Sequence, residues 1–188
     1  MDRQELLEKV LAGYEDNYDI TRRDPEAGTV PLAAEAVLHV SESGFVLVRK
    51  AQMWQADSDE YTYIFSVPEL TDEIAGRSIQ YAYDDGMSKI DLKSKKHHMC
   101  TRITALFLAD SVTDDASRTV RKCNLYKSFQ FSLKGWMEFH AAAADLGKGE
   151  CTSNRYGKPT AEFVRAVLNP QQRKKGRGPL SMLKQMLD

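Results

Sequence analysis

The stretch of residues 103–144 constrains the fold most, because two alternating apolar segments flank a segment that carries helix-start signals. Alternation with a period of two is typical of strands that bury one face. Between the segments, Thr113 precedes two acidic residues, as expected for a helix N-cap and the first helical turn. The stretch therefore predicts a strand, a helix and a β-hairpin. The alternating apolar residues are Ile103, Ala105, Phe107 and Ala109, then Leu125, Phe129, Phe131 and Leu133.

The register of the hairpin follows from keeping its apolar residues on one face. A three-residue loop at 134–136 pairs Leu133 with Met137, Phe131 with Phe139 and Phe129 with Ala141, whereas a two-residue turn would set aromatic residues opposite charged ones. The polar face, together with the loop tryptophan, is then the first place to expect a ligand. The predicted ligand-binding residues are Gln130, Trp136, Glu138 and His140.

Signals before residue 103 predict a helix, a three-stranded meander and a second helix. Asp2 and Glu5 have capping-box spacing ahead of an amphipathic helix at residues 3–15. For residues 72–85 two alternatives are open: a helix, favoured by an N-cap at Thr71, or part of a hairpin. The strands are predicted at 33–41, 45–54 and 61–67, with a loop at 17–31 and turns at 41–44 and 57–59.

Beyond residue 144 the patterns predict a short edge strand at 150–153 and a helix that Thr160 caps and Asn169-Pro170 ends. The element order predicts an α+β fold, a largely antiparallel sheet of about five to seven strands with helices packed mainly on one face. Residues 1–170 are predicted to form a single α+β domain. Residues 171–188 are predicted to be a basic linker and a short amphipathic C-terminal helix, whose apolar residues at 180–187 favour docking on the chain itself or on a second copy.

Composition places the chain among cytoplasmic globular proteins. At 188 residues it is long enough for a core that needs no disulfide or metal, and no apolar run reaches the length of a membrane helix. The chain begins with an acidic helical segment, which argues against a signal peptide. Its three cysteines are an odd number without metal-ligand spacing, which indicates reduced thiols; they are Cys100, Cys123 and Cys151.

Charge is distributed unevenly along the chain. Residues 1–85 carry a net charge of −11 and residues 86–188 a net charge of +10. Two explanations are open: a basic surface for an anionic partner, or two halves that fold together and neutralise each other, and the second is favoured. Nucleic-acid binding remains a possibility that is not favoured, because no recognised motif accompanies the basic tract. That tract comprises Lys93, Lys95, Lys96, Arg102, Arg118, Arg121, Lys122 and Lys127.

Asp85, Asp91 and Lys93 are the candidate catalytic residues. Their order matches the pattern of two-carboxylate nucleases of the restriction-endonuclease type, in which the acids hold Mg²⁺ and the lysine helps to position or activate water. In that type the acids lie on the second and third core strands, whereas here they follow them. A solvated loop is therefore the favoured interpretation. No metal ligands are assigned, and a cofactor, Mg²⁺, is expected only under the nuclease alternative.

A resemblance rests on short motifs between residues 99 and 158, namely Ala109-Asp110, Gly135-Trp136-Met137-Glu138-Phe139, residues 143–145 and Asn154-Arg155-Tyr156-Gly157-Lys158. In these motifs the chain resembles a small family of uncharacterised soluble proteins from low-GC Gram-positive bacteria. The resemblance implies no activity and assigns no functional residues. The favoured hypothesis is a non-enzymatic cytoplasmic module that binds a protein or peptide, or itself as a homodimer, and not a membrane.

Overall fold

The structure, a computed structural model, describes residues 1–46, 51–92 and 98–170, without the side chains of residues 41–46 and 51–56. Four helices and one seven-stranded sheet make up this part of the chain. The helices are α1 (Arg3–Ala12), α2 (Asp72–Ser88), α3 (Asp114–Lys122) and α4 (Lys158–Leu168). The strands are β1 (Asp19–Arg22), β2 (Leu32–Val46), β3 (Ala51–Leu70), β4 (His98–Val112), β5 (Tyr126–Ser128), β6 (Trp136–Asp145) and β7 (Glu150–Ser153).

Local capping signals set the starts of three helices. The side chains of Asp2, Thr71 and Thr113 each accept a hydrogen bond from a backbone N–H in the first turn, at α1, α2 and α3 respectively. The predicted helix at residues 72–85 is thereby confirmed, and the hairpin alternative is wrong. In α4, the N-cap is Gly157 rather than Thr160, and Thr160 is buried inside the first turn.

The sheet is mixed, in the order β1-β2-β3-β4-β6-β5, with β7 also paired to β6. Its three central strands, β3, β4 and β6, run parallel to one another, whereas all outer pairings are antiparallel. The α+β class and the strand number are confirmed. Parallel pairing at the centre requires crossover connections, which α2 and α3 supply.

Helices cover both faces of the sheet, which corrects the prediction of helices mainly on one face. One apolar core contains residues of α2 and α3, and the other contains residues of α1 and α4. Odd-numbered residues of β4 such as Phe107 face α2 and α3, whereas even-numbered ones such as Leu106 face α1 and α4. Parallel strands that are buried on both faces need this double cover.

The predicted meander is one long hairpin, because β2 and β3 run through the predicted turns. Residues 41–44 and 57–59 are strand residues, and the register pairs Ser41 with Asp57. The described residues of the predicted strand at 45–54 therefore belong to the end of β2 and the start of β3 rather than to a separate middle strand, and residues 47–50 lie outside the described residues. The predicted loop at 17–31 contains β1, which pairs with β2 from Asp19 to Arg22.

The predicted hairpin register is wrong by six residues, because other groups occupy the edge of β6. In the structure Lys127, not Leu133, lies opposite Met137, and β5 ends at Ser128. The predicted register required the backbone groups of Phe139 and Ala141. Those groups instead bond to the Asn154 side chain, and β7 pairs with the rest of β6.

Residues 171–188, with the predicted linker and C-terminal helix, lie outside the described residues. Within the described part of the chain, no helix has both the length and the apolar character needed to cross a membrane. The predicted short edge strand at 150–153 is confirmed as β7.

Candidate functional site

Asp85, the first of the predicted nuclease residues, belongs to an ion-pair network between α2 and the sheet. Its Oδ2 atom accepts a hydrogen bond from the Tyr63 hydroxyl at 2.5 Å and lies 2.6 Å from Nζ of Lys89. Burial opposes ionisation of the carboxyl, but the hydrogen bonds from Lys89 and Tyr63 outweigh it and lower the pKa of Asp85. Lys89 also pairs with Glu35 at 3.1 Å. The Asp85 carboxylate is thus engaged by its own neighbours.

The other two predicted nuclease residues add no metal site to what the structure describes. Asp91 follows the C-terminal end of α2, and Lys93 lies outside the described residues. In residues 1–46, 51–92 and 98–170, no three His, Cys, Asp or Glu side chains are arranged to hold a metal ion. Nothing in this geometry favours the Mg²⁺-dependent alternative.

The basic tract does not form one surface where the structure describes it. Arg102 lies on the sheet face that carries α1 and α4, whereas α3 packs on the opposite face with its own basic residues. One of these, Arg118, is paired with Asp115 at 2.5 Å. Lys93, Lys95 and Lys96 lie outside the described residues.

Six polar residues form a grid on the central strands, and we call this set the polar grid. The parallel register places Glu60 beside Arg102 and Arg102 beside Glu138, with Thr62, Thr104 and His140 forming a second row. Registered residues of neighbouring strands share a face and stand about 4.8 Å apart along the hydrogen-bonding direction. The prediction that Glu138 and His140 share a face therefore agrees with the structure, but that face is covered by helices.

Burial is deep on one side of the polar grid and partial on the other. Glu60, Thr62, Thr104 and His140 are all at most 5% exposed. Tyr156 stacks on the His140 ring with a centroid distance of 6.1 Å. The half-buried members are Arg102 and Glu138, and half-buried Trp136 donates its indole N–H to Glu138 at 2.9 Å. Access from solvent is therefore at Arg102, Glu138 and Trp136.

The two carboxyl groups of the polar grid are perturbed in opposite directions. Burial raises the pKa of Glu60, although the charges of Arg102 and His140 and a hydrogen bond with Tyr18 partly offset it. The His140 ring and the Trp136 indole lower the pKa of Glu138 against the effect of burial. Nε2 of His140 lies 3.7 Å from Oε2 of Glu138, which suits a charge interaction but is too long for a hydrogen bond.

Several polar atoms of the grid have no partner in the described part of the chain. Both ring nitrogens of His140 and Oγ1 of Thr104 are buried without a hydrogen bond. The Arg102 guanidinium acts on Glu60 and Glu138 through its charge, without a hydrogen bond or close ion pair to them in the described residues. Buried polar groups in folded proteins are almost always paired, so this set differs from ordinary core residues.

Gln130, the remaining predicted ligand-binding residue, lies elsewhere, in the segment of residues 129–135 that we call the apolar loop. Gln130, Phe131 and Ser132 have positive φ angles of 49°, 55° and 68°. Phe131 is 98% exposed and Leu133 85% exposed, whereas Phe129 is buried. The apolar loop is anchored because the backbone N–H of Phe129 bonds to the Gly135 carbonyl at 2.9 Å.

Sequence reasoning missed Glu60, Thr62, Arg102 and Thr104. The available signal was the same period of two that identified Glu138 and His140. Residues 102 and 104 alternate with the apolar residues Ile103 and Ala105, which places them together on the opposite face. Their alignment with Glu60 and His140 depended on the parallel register, which no local pattern showed.

The comparison with family models agrees with the expectation of an uncharacterised family. No curated protein and no solved structure matches the chain. The family model described as "Domain of unknown function (DUF8052)" matches residues 2–166. Since this match spans most of the 188 residues, the chain belongs to the DUF8052 family.

Proposed function

We propose that the protein is a cytoplasmic protein-binding module that contacts its partner through the apolar loop. The observation that carries the proposal is the exposure of Phe131 and Leu133, which are 98% and 85% accessible to solvent. Tyr126 and Met99 are also exposed, at 50% and 45%. Large apolar side chains that project together into water are a common mark of an interaction site.

The backbone of the apolar loop supports this interpretation. Three consecutive residues other than glycine have positive φ angles, and each costs on the order of 1 kcal/mol relative to right-handed conformations. Neither Phe131 nor Leu133 offsets that cost, because neither side chain is buried within the chain itself. Conformations that are costly for folding and expose apolar surface are typical of loops retained for binding.

The charges beside the apolar loop indicate the chemistry of the partner. Residues 126–135 contain two lysines, Lys127 and Lys134, and no acidic residue. Nζ of Lys127 lies 6.0 Å from the centre of the Phe129 ring. A partner segment that offers apolar side chains beside carboxylates would match both features. We therefore infer an acidic protein segment as the partner.

The state of the cysteines supports the assignment to the cytoplasm. Cys100, Cys123 and Cys151 are all free thiols. Burial raises the pKa of Cys100 to about 12 and the pKa of both Cys123 and Cys151 to about 11. Such thiols remain protonated and unreactive at neutral pH, as suits a reducing compartment.

A selection from a random peptide library displayed on phage, followed by fluorescence polarisation with the selected peptides, tests the proposal. We expect acidic peptides with apolar side chains, and we expect the Phe131→Ser, Leu133→Ser double variant to bind them at least tenfold more weakly. The melting temperature should be unchanged, because neither side chain is buried. Lys134→Gln should weaken binding and reduce its salt dependence, whereas Lys158→Gln, at an exposed position of α4, should change neither.

Two results would contradict the proposal. In the first, the selected peptides bind the double variant as tightly as the wild type, which would place the contact elsewhere. In the second, no peptide binds, but vesicles containing anionic phosphatidylserine bind the wild type and not the double variant, which would identify a membrane surface as the target. Sedimentation at several protein concentrations distinguishes both of these results from self-association through the apolar loop.

A further inference from the structure

We propose that the polar grid binds a small carboxylate that carries a hydroxyl or amino group next to the carboxylate. The proposal is independent of partner binding by the apolar loop, because it concerns different residues. It rests on three groups that have no hydrogen bond within the described residues, Arg102, Thr104 and His140, and on the carboxylate of Glu138 at the entrance.

Arg102 is the group suited to the ligand carboxylate. It lies on the central strand of the grid, between Glu60 and Glu138, and is half-buried. Its charge acts to lower the pKa of both neighbouring carboxyl groups, but no hydrogen bond or close ion pair of the described residues fixes its guanidinium. A guanidinium presents paired N–H donors that match the two oxygens of a carboxylate. Its partial exposure allows a ligand to reach it from solvent.

Thr104 and His140 extend the donor set into the interior. They are registered neighbours on β4 and β6, at 0% and 5% exposure, and neither side chain has a hydrogen-bond partner in the described residues. A threonine hydroxyl can both donate and accept a hydrogen bond, and an imidazole ring donates through at least one of its nitrogens. A ligand oxygen placed between them would satisfy buried groups that are costly to leave unpaired.

The acidic residues distinguish this ligand from a simple anion. The Glu138 carboxylate is stabilised in its ionised form by His140 and Trp136, so it offers an acceptor to a hydroxyl or ammonium group of the ligand. Burial raises the pKa of Glu60, which lowers the cost of holding this carboxyl uncharged beside a ligand carboxylate. The site therefore presents a guanidinium beside an accepting carboxylate. These two groups match a ligand in which a carboxylate lies beside a hydroxyl or ammonium group.

The surroundings limit the size of the ligand. Tyr156 covers His140, and the buried residues Tyr14 and Tyr18 close the site around Glu60. The part of the site that solvent reaches is at half-buried Arg102, Glu138 and Trp136. A molecule with a long chain beyond the carboxylate would have to leave that part at the surface. Two- to three-carbon hydroxy and amino acids are consequently the appropriate probes.

Imidazole ¹H–¹⁵N spectra of the full chain, titrated with L-lactate, L-alanine, acetate, lactamide or phosphate, test the proposal. The His140 signal is assigned by its loss in His140→Gln. We expect a saturable shift with lactate or alanine, and the stronger of the two tells whether the donor is a hydroxyl or an ammonium group. Acetate should bind at least tenfold more weakly and lactamide not at all, since each lacks one of the two recognised groups.

Three variants give the test its controls. Arg102→Gln should weaken binding at least tenfold, whereas Arg118→Gln, exposed on α3, should leave it unchanged. Thr104→Val keeps the shape of the side chain and removes a hydroxyl that lacks a partner, so it should retain the melting temperature and still weaken binding. The proposal is wrong if no probe moves the His140 signal saturably, if Arg102→Gln binds equally well, or if phosphate or acetate binds as tightly as the best probe.

Discussion

At the scale of single residues, the Asn154 side chain makes hydrogen bonds to β6 that a neighbouring strand would otherwise make. Its Nδ2 group donates to the carbonyls of Cys123 and Phe139, and its Oδ1 accepts from the backbone N–H of Ala141 and Gly157. The side chain thereby fills the gap along β6 between β5 and β7. It is 2% exposed, so bulk water does not compete for these bonds in the wild type.

We expect Asn154→Ala to lower the free energy of unfolding by about 3 kcal/mol, since several buried backbone groups lose their partner at once. Urea denaturation followed by circular dichroism measures the change. Asn124→Ala, at an exposed position just before β5, is the matched control and should stay within about 0.5 kcal/mol of the wild type. Equal effects of the two variants would show that the Asn154 bonds do not stabilise the edge.

At the scale of elements, sequence patterns predicted the structure that neighbouring residues determine. They did not predict the structure that depends on pairing with strands distant in the sequence. The starts of α1, α2 and α3 follow from capping residues within one turn, so they were predictable. The register of β5 depends on Asn154, about 25 residues later in the chain, and on β7. The alternation at Phe129, Phe131 and Leu133 is real, but only Phe129 reaches the core.

Two glycines allow the start of β6 to be tested. Gly135 and Gly149 both have positive φ, 77° and 65°, but a Cβ on Gly135 would lie 2.1 Å from the Met99 carbonyl oxygen, whereas one on Gly149 would meet no atom within 4 Å. Gly149→Ala should therefore cost only the backbone term of about 1 kcal/mol. Gly135→Ala should cost more, because β4 and β6 must separate where they begin; thermal unfolding compares the two. Similar melting temperatures for both variants would contradict this close approach.

At the scale of the whole molecule, the two halves of opposite charge fold into one sheet and partly neutralise each other. Lys89, from the basic half, pairs with both Glu35 and Asp85, from the acidic half. Each pair joins a residue before position 86 to one after it. The polar grid likewise combines Glu60 from the acidic half with Arg102 and His140 from the basic half. The charge asymmetry along the sequence therefore did not predict how charge is distributed on the folded surface.

The pH dependence of global stability should reveal the burial of Glu60. Because burial raises its pKa above the ordinary 4.5, the folded protein holds this proton more tightly than the unfolded chain does. The free energy of unfolding must then fall as the pH rises from about 4.5 through the folded-state pKa. The lowered pKa values of Asp85 and Glu138 act in the opposite sense, with stability lost as the pH falls through the acidic range below these ordinary values.

Glu60→Gln isolates the contribution of Glu60, since an amide keeps the shape of the carboxyl and cannot ionise. We expect the variant to match the wild type near pH 4.5 and to be more stable at pH 8, as measured by urea denaturation across that range. Glu69→Gln, at an exposed position of β3, should leave the profile unchanged. If the difference between Glu60→Gln and wild type does not grow with pH, Glu60 ionises in the folded protein as it does in the unfolded chain. The interior of the polar grid would then be open to water, and the limit that its aromatic walls place on ligand size would no longer hold.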